Sequence, residues 1–167
     1  LYETPVGFKY IGELILEDKI ALGGEESAGM SMYKHLPEKD GILACLLVAE
    51  MVARTGKKLN ELTEAMYEEF GYFYSKRADM KLTQQIKETL AQKLANPPSE
   101  LDGMKVTEVN MTDGVKLVFD SSTWLLFRLS GTEPVARVYA EACTPKDLKR
   151  VLDAGKRFVA PAAVVSS

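Results

Sequence analysis

The run Arg128-Leu129-Ser130-Gly131-Thr132-Glu133-Pro134 gathers groups that suit an anion. A guanidinium can grip two phosphate oxygens together. Ser130 and Thr132 carry hydroxyls that donate hydrogen bonds. Gly131 lets the backbone approach closely and turn its N–H groups inward. Arg137 stands just beyond the run. This chemistry describes a phosphate cradle. Ser-Gly-Thr between two strands is also an ordinary tight turn, and the loop alone leaves both readings open.

A second run, Gly23-Gly24-Glu25-Glu26-Ser27-Ala28-Gly29, places two carboxylates and a hydroxyl at close spacing after a short strand. Such groups match the vicinal hydroxyls of a sugar, in the usual place for ligand contacts on an α/β layer. A solvated acidic turn fits the same residues.

The elements that would position these loops follow from pattern and punctuation. Val6 to Glu17 has helical spacing, and Lys19 to Leu22 reads as a short strand. Asp40 is a good N-cap for a helix from Gly41 to Arg54 that stops near Gly56. Its apolar residues surround most of the circumference, which predicts a helix buried on several sides. Asn60 caps a second helix, Glu61 to Phe70. Tyr72 to Met80 reads as a strand or hinge. Thr83 caps a helix to about Ala95, stopped by Asn96-Pro97-Pro98. Four strands follow: Lys105 to Met111, Val115 to Phe119, Trp124 to Leu129 and Ala136 to Ala142. Thr112-Asp113-Gly114 makes a hairpin of the first two. Thr144 caps a last helix with Pro145 at its first position. The expected organisation is α/β followed by α+β. Residues 1–75 form the latter part of an α/β/α layered domain. Residues 76–167 form a small domain with a four-stranded antiparallel sheet and helices on one face.

Composition limits the function. The chain has 167 residues, 46% hydrophobic and 27% charged, with a net charge of -3. That balance argues against a nucleic-acid surface while allowing a local basic pocket. No apolar run is long enough to span a membrane. Cys45 and Cys143 lie in apolar runs without metal spacing, so buried, reduced thiols and a cytoplasmic setting are expected. The chain starts at Leu1 rather than methionine, and a fragment of a longer protein is expected.

Taken together, the two loops resemble those of the α-D-phosphohexomutases, the phosphoglucomutase and phosphomannomutase family. The resemblance runs from Thr4-Pro5-Val6-Gly7-Phe8-Lys9-Tyr10 to the last helix, with Pro37-Glu38-Lys39-Asp40-Gly41 between. It implies that Gly24-Glu25-Glu26-Ser27 is the sugar-specificity loop of a third domain and that Arg128 to Pro134 is the phosphate-binding loop of a fourth. On that basis Glu25 and Ser27 bind sugar hydroxyls, and Glu26 either joins them or structures the loop. Arg128, Ser130, Gly131 and Thr132 hold the distal phosphate. Arg137 assists them or pairs with Glu141. Lys9 stabilises charge or transfers a proton near the reacting phosphate. His35 contacts phosphate or sugar, or is an exposed loop histidine, and Lys34 is open in the same way. Arg77 resembles a hinge arginine, with salt-bridging between domains as its simpler role.

The same resemblance implies the chemistry: a phosphoryl group moves between C1 and C6 of a hexose through a bisphosphosugar and a phosphoserine. Magnesium would serve the full-length enzyme, and glucose 1,6-bisphosphate would be its activator or intermediate. The partners would be a phosphosugar and the N-terminal domains of the same protein. The family's Thr-Ala-Ser-His-Asn-Pro and Asp-x-Asp-x-Asp segments do not occur in this chain. No nucleophile and no metal ligand are therefore expected here, and the chain alone should be inactive. Glu25-Glu26-Ser27 resembles the phosphoglucomutase version of the sugar loop, which favours glucose phosphates over mannose phosphates. A non-catalytic phosphosugar-binding module is the rival function.

Overall fold

The computed structural model describes residues 1–25, 27–131 and 133–160. Chain contacts divide it into two units, residues 1–70 and residues from Gly71 onward.

In the first unit, α1 (Phe8–Leu16) turns Phe8, Ile11 and Ile15 inward. Their spacing makes one apolar stripe, which packs with Ile20 into a small core. A hairpin follows: β1 (Leu22–Gly24) pairs antiparallel with β2 (Met30–Met32), Gly23 opposite Ser31. The strand expected at Lys19 to Leu22 thus lies slightly later and takes in both glycines, and its partner strand is an addition to the expected elements. α2 (Gly41–Thr55) begins at Asp40, whose carboxylate accepts from the Ile42 and Leu43 amides. It ends at Gly56, in the left-handed conformation with φ 65. α3 (Leu59–Phe70) starts earlier than expected, so Asn60 lies inside it; the Lys58 amide is taken by Glu61 Oε2 at 2.7 Å.

One expectation for this unit is overturned. α2 has no buried residue, and Ile42 and Leu46 are 76% and 63% exposed. Its all-round apolar pattern calls for packing on several sides, and the described residues around it do not supply that cover. Cys45, on the same helix, is exposed for the same reason; Cys143 is exposed too, at the turn before the last helix, and both are free thiols. The expectation of buried cysteines therefore fails.

The second unit holds β3 (Tyr74–Lys81), α4 (Gln84–Ala95), the small hairpin of β4 (Glu100–Leu101) and β5 (Met104–Lys105), then β6 (Glu108–Asn110), β7 (Val115–Val118), β8 (Trp124–Leu129), β9 (Val135–Ala142) and α5 (Pro145–Val159). Thr83 and Thr144 cap their helices as expected, accepting from Ile86 N–H and Asp147 N–H. The main sheet is antiparallel, in the order β3-β9-β8-β7-β6. It has five strands rather than four, because Tyr74–Lys81 is a full edge strand along β9. The strand expected over Lys105 to Met111 is split. The Val106 amide bonds Ser99 and the Thr107 amide bonds Val118, so the chain changes partner between the two.

Alternation decides the faces. Leu117, Leu125, Phe127, Val138 and Ala140 point to one side and join Leu90 and Leu94 of α4 and Val151, Leu152 and Val159 of α5 in one core. The opposite face carries Lys116, Trp124, Leu126, Arg128, Arg137, Tyr139 and Glu141, all half-buried. Core packing on one face thus dictates which polar residues share the other. Where α5 crosses the sheet, a Cβ on Gly155 would lie 2.8 Å from Leu125 Cδ1 and 2.9 Å from Val138 Cγ1. Gly155→Ala gains about 1 kcal/mol of helix propensity but sets its methyl against two buried core side chains that must shift, an overpacking cost of about 1–3 kcal/mol. The expected outcome is a net loss, read as a lower urea midpoint with an unchanged slope; a raised midpoint would show that α5 can lift off the sheet.

Candidate functional site

The register of β8 and β9 sets Arg128 directly opposite Arg137. Side chains of such a pair leave one face about 4.5–5.5 Å apart, and like charges there repel. Arg128 is steadied from the other side: its Nε lies 3.1 Å from Asp113 Oδ2. Among the described residues Arg137 has no ion-pair or side-chain hydrogen-bond partner. The alternative pairing with Glu141 is not formed among the described residues; Glu141 accepts from Trp124 Nε1 at 3.0 Å. Asp79, across from Arg137 on β3, is held by Arg77 at 3.0 Å instead. Arg77 itself lies over the Tyr139 ring, 6.0 Å from its centroid. Two guanidiniums thus meet at the end of a hairpin with one carboxylate, Asp113, against them among the described residues.

The loop between β8 and β9 is built from its own hydrogen bonds. The Ser130 amide donates to Val135 O at 2.9 Å, and the Glu133 amide donates to Ser130 Oγ at 3.2 Å. The hydroxyl accepts there, so its own proton stays available for a ligand. The Ser130 amide is committed to the hairpin, so it is not one of the inward N–H groups of a cradle. Lys87 Nζ reaches from α4 to Ser130 O at 3.0 Å, and the Leu82 amide holds Pro134 O at 2.7 Å. A Cβ on Gly131 would meet nothing within 4 Å, and its φ is not left-handed. The fold of the described residues makes no demand for glycine at this position. Thr132, expected to complete the clamp, lies outside the described residues.

In the first unit the turn after β1 closes on itself. The Glu25 amide donates to Gly29 O at 2.8 Å and the Ala28 amide to Glu25 O at 3.0 Å. Glu25 Oε2 lies 3.4 Å from both Ser27 Oγ and Lys39 Nζ. The carboxylate side chain is only 17% exposed, so Lys39 and Ser27 hold it in place. Glu26 lies outside the described residues. His35 is engaged rather than free: its Nε2 lies 2.8 Å from Asp40 Oδ2. Lys34 lies over the Tyr33 ring and Lys9, exposed on α1, over the Tyr10 ring.

Each loop thus leans on a residue outside the set expected from sequence, Lys39 for Glu25 and both Asp113 and Lys87 for the arginine loop. Lys39 lies in the Pro37 to Gly41 segment and Asp113 in the hairpin turn, so both carry a signal, though only of local structure. Lys87 carries none, being one lysine on a polar helix. Among the described residues no three His, Cys, Asp or Glu side chains come together as a metal site. No helix among them is long and apolar enough to cross a membrane.

Comparison with known proteins covers both units. Residues 1–70 match the family profile described as phosphoglucomutase/phosphomannomutase, alpha/beta/alpha domain III. Residues 75–156 match the profile of the C-terminal domain of the same family. The Thermococcus kodakarensis phosphoglucomutase/phosphomannomutase is 30% identical over 93% of this chain and 32% of its own. An Exiguobacterium phosphoglucosamine mutase is 29% identical over 90% of this chain and 29% of its own. The crystal structure of a phosphomannomutase candidate from Thermus thermophilus superposes with a TM-score of 0.69 and 36% identity, covering 93% of this chain and 30% of that one. The chain spans about a third of the length of the relatives it matches.

The Asp40 carboxyl, beside the sugar-side turn, is held below its ordinary value of 3.8, first by the Leu43 amide and then by His35. A depressed carboxyl stabilises the fold above its unfolded pKa, and that contribution disappears as pH falls through the folded one. Protection of the Ile42 and Leu43 amides, taken relative to their intrinsic exchange rates, should therefore be high at neutral pH and fall below pH 3.8. Asp40→Ala should show the low protection at every pH. Equal protection in both proteins would mean that the cap does not hold the start of α2.

Proposed function

The chain belongs to the phosphoglucomutase/phosphomannomutase family, and on that premise we propose that it supplies sugar and phosphate recognition to a phosphohexomutase. That enzyme would interconvert hexose 1-phosphate and hexose 6-phosphate through a bisphosphosugar and a phosphoserine. The observation that carries the reading is the Arg128–Arg137 pair, two like charges fixed opposite each other at the end of a hairpin. A phosphate dianion there turns repulsion into two charge-assisted contacts.

The roles divide between the loops. Arg128 and Arg137 neutralise the phosphate that is not reacting, and Ser130 donates its hydroxyl to it. Gly131 leaves room for a phosphate oxygen against the backbone. Thr132 adds a second hydroxyl. Glu25 accepts from sugar hydroxyls, with Ser27 beside it and Glu26 as a further acceptor. Lys9 offers a cation to the reacting phosphate, and His35, already bonded to Asp40, offers its remaining ring nitrogen. Phosphoryl transfer depends mainly on positioning and charge stabilisation, so these contacts would raise turnover as well as affinity.

No residue of this chain is assigned as the phosphoryl-transfer nucleophile, and the chain alone is expected to show no mutase activity. Magnesium would assist transfer in the whole enzyme by neutralising phosphoryl charge. The described residues offer it no donor set, and no role above runs through it. Glucose phosphates are the preferred substrates, from the form of the Glu25-Glu26-Ser27 loop. Mannose phosphates are the second reading, favoured by the 36% identity to the Thermus protein. The two free thiols agree with a reducing, cytoplasmic setting.

Titration with glucose 1,6-bisphosphate, followed by amide shifts, tests the assignment. Shifts should centre on Leu129 to Gly131 and on Glu25 to Gly29. Arg128→Ala should weaken binding about tenfold or more, as expected for a lost charge-assisted contact. Gly131→Val should weaken it as well while leaving the unfolding midpoint unchanged. Glu25→Ala should weaken the bisphosphate but not inorganic phosphate. A folded protein whose Ser130 and Gly131 amides do not move would overturn the phosphate assignment, and equal loss of both ligands in Glu25→Ala would overturn the division of labour.

A further inference from the structure

Asp113 reads from sequence as a turn residue, and the fold gives it a second neighbour. β7 pairs with β8 so that Val115 faces Phe127, which carries the preceding turn alongside Arg128. Arg128 therefore stands between two charges, Arg137 on the β9 side and Asp113 on the β7 side. The Asp113 carboxylate meets Nε at 3.1 Å, with the two side chains only 22% and 29% exposed. Nε carries one of the five guanidinium donors, so this contact leaves Nη donors for another acceptor.

The backbone is shaped to permit this contact. Gly114 has φ +82, a conformation that L side chains rarely adopt. A Cβ there would run into the Phe127 carbonyl oxygen and lie 2.9 Å from Arg128 Cγ. Thr112 N–H bonds Asn110 Oδ1 at 2.8 Å and fixes the turn from its other end. Hairpin and arginine are thus packed as closely as a missing side chain allows, with the carboxylate at the contact.

The geometry points to Asp113 as a positioning residue that holds the Arg128 guanidinium ready for phosphate, with Gly114 making the approach possible. An unheld arginine loses rotamer freedom when it grips a ligand. Asp113 imposes that order in the folded protein before any ligand arrives, as supporting partners do for the ligands of a metal. This inference rests on the phosphate reading of the loop.

The sign of one measurement separates positioning from plain electrostatics. A carboxylate close to an anion site repels the anion, so removing it should tighten binding if charge is all that matters. If Asp113 positions Arg128, removing it should loosen binding despite the relief of repulsion. The probes are inorganic phosphate and glucose 1,6-bisphosphate, added to the whole chain and followed by amide shifts and by the Arg128 Nε–H resonance. Asp113→Ala is expected to weaken both ligands about fivefold and to lose the resolved Nε–H signal. Asp113→Asn keeps an acceptor at the same place and should restore the signal and most of the affinity. Gly114→Ala, which keeps both charges but pushes the turn away, should resemble Asp113→Ala. The asparagine variant serves if the alanine variants fail to fold: a lost Nε–H signal there, or affinity loss as deep as that of Arg128→Ala, counts against positioning. Unchanged or tighter binding in folded Asp113→Ala overturns the proposal, provided Arg128→Ala still weakens it. If Arg128→Ala also binds as well as the parent, the phosphate reading itself has failed.

Discussion

The register between β8 and β9 is the constraint on which the arginine loop depends. Leu125 and Phe127 on one strand and Val138 and Ala140 on the other all enter the core. A slip by one residue would send that whole set to the open face and carry Arg128 and Arg137 inward. Burying unpaired guanidiniums would cost far more than any loop contact returns. The apolar core thus enforces an arrangement that electrostatics alone opposes, two arginines side by side. Hydrophobic burial holds the hairpin, and the hairpin holds the charges.

The two loops share a construction. In each, a charged group is held by an opposite charge from a different stretch of chain: Glu25 by Lys39 and Arg128 by Asp113. Neither support is adjacent in sequence, and both depend on folding to reach their partner. Each contact orients the group it touches. The Lys87 contact with Ser130 O acts on the loop backbone in the same sense.

Much of this was legible in the sequence where the signal is local. Asp40, Thr83 and Thr144 announce their helices because an N-cap is read from one side chain and the next few amides. Thr112-Asp113-Gly114 announces its hairpin for a similar reason. The illegible parts depend on distant partners. Tyr74–Lys81 is legible as a strand or hinge, but it is exposed along most of its length, and its place as a fifth strand depends on pairing with β9. The strand expected at Lys105 breaks because Val106 and Thr107 bond different neighbours. The α2 pattern is apolar all round, but apolarity tells what a helix requires and not what its chain provides. The Arg128–Arg137 juxtaposition needs the register, which no single segment contains.

β3 has a further consequence for how the sheet meets its surroundings. Among the described residues it pairs with β9 on one side only, so its other side offers backbone donors and acceptors to any extended chain that comes near. Such a margin invites strand addition and amyloid-like growth. Lys76, Arg77, Asp79 and Lys81 line it with charge, and a second copy laid alongside would have to bring lysine against lysine or strip water from both. At the far margin, β6 has only three residues, too few to template a stable neighbour. The sheet is finite because charge closes one border and brevity closes the other.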